Sequence, residues 1–180
     1  EAAVSIEQYL SGGAVTGPVK PFNIRIGKIK DAEKDTFAAC GSAESRVSPV
    51  RDACGFADEP ARVEAGRCLH CDCRKVDNCR LREHSDEHGA KPGRYKSDRR
   101  AFVQQVQHPE VIYESGKCID CGLCIQIAAR AGEKLGLTFI GRGFDVRVAV
   151  PFDYSMAQAL EHAAAKCVAA CPTGALAFPG

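Results

Sequence analysis

Residues 117–124 read Lys-Cys-Ile-Asp-Cys-Gly-Leu-Cys (KCIDCGLC), and residues 171–176 read Cys-Pro-Thr-Gly-Ala-Leu (CPTGAL). Cys118, Cys121 and Cys124 recur at every third position, and a fourth thiol, Cys171, arrives with a proline from far downstream. This spacing suits a [4Fe-4S] cubane. A loop with two-residue gaps reaches three iron corners while its N–H groups face the sulfides, and the fourth ligand comes from elsewhere in the chain. Gly122 allows close backbone approach, and Pro172 stops a preceding helix so that Cys171 can turn inward. The competing reading is zinc held by four thiolates, but zinc ribbons pair one C-x2-C with a second rather than tripling the first. Cys167 stands four residues before Cys171, where a two-cluster ferredoxin would draw a ligand for its other cubane. The further cysteines needed near Ala128, Glu161 and Ala164 are missing, so this region is expected to hold one cluster and leave Cys167 as a buried thiol.

A second group, Cys68, Cys71, Cys73 and Cys79, lies in RCLHCDCRKVDNCRLRE at residues 67–83. Its gaps of two, one and five residues make it no repeat of the first group. An extended backbone would point Cys71 and Cys73 to one side, with Cys68 closing from a helix end. Four thiols suit a second [4Fe-4S] cluster or a zinc ion, and unliganded thiols are the third reading. Arg67, Arg74, Lys75, Arg80 and Arg82 surround them and are expected to offset thiolate charge. His70, His84 and His88 read as exposed polar residues, and Cys40 and Cys54 as packing or incidental thiols.

Composition narrows the function. A chain of 180 residues makes one ordinary domain or two small ones. A net charge of +1 argues against nucleic acid or an anionic membrane as partner. Eleven cysteines in 180 residues, about 6%, fall below the roughly 8–10% of a short secreted disulfide scaffold. There is no signal-peptide pattern and no run near 18 apolar residues. The expectation is a cytoplasmic chain without direct membrane insertion, whose thiols hold metal. No acid–base pair or activated nucleophile is readable and no G-x-G-x-x-G opens a helix, so the chemistry is expected to be a cofactor's.

The fold expected is α+β in two modules. Residues 1–22 form a helix (EAAVSIEQYL, ended by Ser11-Gly12-Gly13) and an extended connector. Residues 23–90 form a helical or irregular cysteine-rich module, with short helices at 31–39 and 59–69. Residues 91–108 form a basic linker. Residues 109–180 form a ferredoxin-like module: a strand at 111–113, a helix over 121–135, a hairpin over 137–152 turning at Gly141-Arg142-Gly143, a second helix over 155–170 and a terminal strand at 175–178. Within that helix Met156, Ala159, Leu160 and Ala163 share a face.

Residues 109–179, with KCIDCGLC, LTFIGRGFDVRVAVPF and CVAACPTGAL, resemble the ferredoxin-type region of the large iron-sulfur subunit of respiratory complex I, of iron-only hydrogenases and of some formate dehydrogenases. The resemblance implies a low-potential [4Fe-4S] relay, with Cys118, Cys121, Cys124 and Cys171 matching the family's ligands. The departures at Ala128, Glu161 and Ala164 remove a second cluster there. EAGRCLHC resembles the helical iron-sulfur domain of the glutamate synthase small subunit and related flavoprotein reductases, although the spacing beyond Cys71 differs. EAAVSIEQYLSG resembles the final helix of reductases of the same group. These resemblances imply the carboxyl end of a longer flavoprotein, a cleaved or truncated form of one, or a separate subunit of such ancestry. The function expected is single-electron relay between a flavin- or NAD(P)H-dependent oxidoreductase partner and a further redox centre, inside a hetero-oligomeric complex. The rival from another class is a zinc-stapled adaptor.

Overall fold

A computed structural model describes residues 2–19, 22, 29–39, 41–49, 55–68, 73–75, 77–94, 99–101 and 103–179. The architecture is α+β, built from short helices and short antiparallel strands. Two compact units divide the chain, residues 1–25 with 80–97 and residues 26–79 with 98–180.

In the first unit, helix α1 (Ala2–Leu10) buries none of its residues. Its end is set by Gly12 at φ +71°, a left-handed position that favours glycine. The connector that follows is folded back rather than free. The Gln8 amide accepts from the Thr16 and Gly17 N–H groups at 3.0 and 2.9 Å and donates to the Gly17 carbonyl at 3.1 Å. The Phe22 N–H donates to Asp86, on the later helix Arg80–Glu87.

In the second unit, α2 (Asp31–Ala38) and α3 (Asp58–Ala65) match their expected starts, and α4 is the Arg80–Glu87 helix of the first unit. Strand β1 (Gln104–Gln105) pairs antiparallel with β2 (Ile112–Glu114), which pairs antiparallel with β5 (Leu176–Ala177). Thus Gln104 and Gln105, assigned to a linker from sequence, join the sheet. The 137–152 hairpin forms from β3 (Thr138–Ile140) and β4 (Arg147–Ala149). Its turn requires glycine at 141. There φ is +86°, and a Cβ would meet the Asp145 carbonyl oxygen at 2.4 Å.

Helix α5 (Leu123–Ala131) is shorter than expected because Gly132 takes the left-handed φ of +74°. The expected helix over 155–170 breaks in two, α6 (Met156–Ala159) and α7 (Ala164–Ala170). Leu160 leaves the helical region at φ −129°, ψ 68°. The break is held by tertiary partners. The Glu133 carboxylate accepts the N–H groups of Glu161, His162 and Ala163 at 3.1, 2.7 and 2.6 Å. Burial opposes ionisation of Glu133, but those donors hold its carboxyl below the usual range. The His108 ring takes the Leu160 carbonyl at 2.9 Å through Nε2, while Nδ1 accepts from Glu110 and Val111. The apolar face survives the break, with Met156, Ala159, Leu160 and Ala163 all at most 1% exposed. Each fully buried Met or Leu contributes roughly 1.5–3 kcal/mol relative to exposure. This core, with Val111, Tyr113, Val148 and Val168, backs the cysteine loop.

Candidate metal centre

Cys118, Cys121, Cys124 and Cys171 line one small pocket, walled by Tyr113, Val148, Ala175 and Leu176 and flanked by Ile119 and Leu123. Cys118, Cys124 and Cys171 are each placed by a different local device. Cys118 follows a single 3-10 turn at Ser115–Lys117. Asp120 adopts φ +54°, uncommon for a non-glycine residue, and its N–H donates to the Cys118 sulfur at 3.4 Å. Gly122 caps α5 at φ +74°, with the Phe139 ring 3.5 Å from where a Cβ would stand. Cys124 therefore sits in the first turn of α5, where helix N–H groups favour negative charge. Cys171 caps the end of α7, its N–H bonded to the Cys167 and Val168 carbonyls.

Thr173 ties the two halves of the pocket together. Its hydroxyl donates to the Lys117 carbonyl at 2.9 Å and accepts from the Ala175 N–H at 3.2 Å. Tyr113 donates from its hydroxyl to the Val148 carbonyl at 2.7 Å, fixing β2 against the hairpin. Neither residue carried a sequence signal, because both act through backbone groups far away in the chain.

The pocket favours neutral thiols. Burial pushes Cys118 up, and burial with the nearby Cys167 and Cys118 pushes Cys124 up to about 12. Cys167, fully buried, is pushed up to about 11 by burial and by the Glu133 and Cys171 charges. Its Sγ lies 3.6 Å from the Cys124 carbonyl oxygen. A cation that replaces those protons would convert the thiols into ligands. Among the described residues, no three His, Cys, Asp or Glu side chains converge as a site for a single metal ion.

The second cysteine group has less of its own support. Cys68 is exposed beyond the end of α3, and Cys71, His70, Cys40 and Cys54 lie outside the described residues. Cys73 and Cys79 are half-buried, and both lie against the Cys171–Gly174 loop. The Cys79 sulfur is 3.8 Å from the Pro172 carbonyl oxygen. The Cys73 sulfur is 2.6 Å from where a Cβ on Gly174 would stand. Arg74 pairs with Glu114 at 3.1 Å, their side chains 7% and 1% exposed. Lys117 and the Gln104 amide bond the same carboxylate. Arg67 pairs with Glu64. The cations expected to balance thiolates are thus partly committed to carboxylates. His84 is exposed beside Glu87, and His88 is exposed.

No protein-family model matches the chain. The chain is 28% identical over 104 residues to the NADP-reducing hydrogenase subunit HndD of Solidesulfovibrio fructosivorans. That match covers 58% of this chain and 18% of the subunit, so the chain spans less than a fifth of this curated relative. The crystal structure of an NAD+-reducing [NiFe]-hydrogenase in its H2-reduced state has a similar fold, with a TM-score of 0.54 at 19% identity. That likeness extends over 98% of this chain and 80% of the other.

Proposed function

We propose that this chain is an electron-transfer subunit or domain of a NAD(P)-linked oxidoreductase, with Cys118, Cys121, Cys124 and Cys171 holding a [4Fe-4S] cluster. The observation that carries the reading is the shared pocket of these four thiols. Their N–H and apolar surroundings suit the group. Asp120 N–H already bonds a thiol sulfur, and the walls are mainly apolar. Three thiols at two-residue gaps joined by a distant Cys-Pro, rather than two C-x2-C pairs, favour a cubane over a single zinc. When bound, such a cluster supplies one-electron redox chemistry. The chain's own residues would ligate it, shield it behind Tyr113, Val148 and Leu176, and aim the Asp120 N–H at the Cys118 sulfur.

Cys68, Cys71, Cys73 and Cys79 are proposed to hold a second [4Fe-4S] cluster. Support comes from Cys73 and Cys79, which lie beside residues 172–174, next to the fourth ligand of the first site. The partners in this reading are a flavin- or NAD(P)H-dependent subunit or domain and other redox subunits of a cytoplasmic hetero-oligomeric complex. The likeness to a hydrogenase subunit agrees with such an assembly. No helix of the described residues is long and apolar enough to cross a membrane.

The test is iron and acid-labile sulfide analysis of the anaerobically purified chain. About eight of each per chain supports both sites. About four iron with one zinc confines electron transfer to the first site. A chain without iron after strictly anaerobic reconstitution sinks the proposal and leaves a zinc-stapled adaptor.

A further inference from the structure

We propose that Lys75, which belongs to neither thiol set, is the positioning residue that holds the Cys171 ligand loop and raises the reduction potential of the group bound there. This rests on the iron-sulfur reading of the first site. Lys75 is 8% exposed, and its ammonium donates to the Val168 carbonyl at 2.6 Å and the Cys171 carbonyl at 2.8 Å. These are carbonyls at the end of α7, where a cation is favoured, and the Val168 carbonyl also accepts the Cys171 N–H at 3.3 Å. The reach is long in sequence, 93 and 96 residues. It is made possible by contacts on either side of Lys75, Arg74 with Glu114 and Cys79 with Pro172.

The electrostatics point to the occupant. A buried cation is costly unless paired, and among the described residues no carboxylate pairs with Lys75. Its acceptors are neutral carbonyls, one of them belonging to Cys171 itself. A thiolate-ligated group beside it supplies the missing negative charge. Reduction adds one electron from an external donor, with no bond made or broken, and so adds one negative charge. A nearby cation stabilises that form over the oxidised one, which raises the potential.

The experiment uses the full chain, reconstituted anaerobically with iron and sulfide, as wild type, Lys75→Met and Lys75→Arg. Midpoint potentials are read by redox titration followed by electron paramagnetic resonance. Lys75→Met should shift the midpoint of the Cys171-bound group downward by about a tenfold change in its reduction equilibrium, about 59 mV for a one-electron couple. Lys75→Arg, which keeps the cation, should recover most of that shift. An unmoved midpoint in an iron-replete Lys75→Met chain overturns the proposal.

A second readout needs no metal. In the metal-free chain, Lys75→Met should raise the alkylation rate of Cys171, normalised to its thiolate fraction from the pH dependence, several-fold while buried Cys167 stays slow. An unchanged Cys171 rate overturns the positioning role. Should Cys167 become equally reactive, the fold is lost, and Lys75→Gln replaces the Met variant in both measurements. A wild-type chain that takes up no iron defeats the reading of the site instead, a result distinct from either outcome for Lys75.

Discussion

The two cysteine groups are supported in opposite ways. Cys118, Cys124 and Cys171 are attached to a 3-10 turn, a helix start and a helix end that all lean on one apolar core. Cys73 and Cys79 belong to a segment whose described residues form no helix or strand, and two adjacent cations, Arg74 and Lys75, hold them in place. The lesson is that rigidity at a ligand site can come from beneath, through packing, or from the side, through charge-assisted bonds to a neighbour. The second kind depends on the first, since its anchors are the β2 carboxylate and the α7 end.

The sharpest way to break this comparison is to remove one thiol from each group. Cys171→Ser should cost about four iron per chain and leave the other group loaded, while Cys79→Ser should do the reverse. Iron analysis reads both. If Cys171→Ser empties both groups, the dependence runs through the metal and not the protein.

Glu114→Ala tests the lateral anchor. It leaves Arg74 buried without its carboxylate and removes one acceptor from Lys117 and Gln104, and should cost about 3–5 kcal/mol in denaturant unfolding. A smaller effect comes from Gly174→Val, whose side chain would take the place of the Cys73 sulfur. Overpacking there should cost about 1–3 kcal/mol, read by the same unfolding curves. A neutral result would mean that the Cys73 loop is free to move off the first site.

The subtlest test is pH dependence of the metal-free chain. The Cys124 and Cys167 thiols ordinarily titrate near 9.0 and are raised in the folded chain to about 12 and about 11. The folded state then binds more protons than the unfolded state above pH 9. Their contribution is fully present below that value and is lost as the pH climbs through about 11 and about 12. Melting temperature should fall over this range. The metal-loaded chain, whose ligand thiols are already deprotonated, should fall less.

Local signals were well expressed in the sequence. The α1 end at Gly12, the α2 start at Asp31 and the glycine turn between β3 and β4 all followed from propensity and positive-φ geometry. The periodicity over 155–170 is real, but the backbone is not continuous. Glu133 and His108 supply bonds at 160–163 that an unbroken helix would have made within itself. Pattern reports which face is buried, and the Met156, Ala159, Leu160 and Ala163 face was legible for that reason.

The sequence by itself determined the chemistry available to this protein, because ligand type and local spacing are properties of the covalent chain. Three thiols at every third residue and a Cys-Pro pair are legible without any fold. Only the tertiary structure decided that Cys73 and Cys79 abut residues 172–174, that Glu114 is buried among Arg74, Lys117 and Gln104, and that Lys75 grips the end of α7. Those bonds join side chains to backbone or to carboxylates up to 96 residues away, where neither propensity nor periodicity carries information.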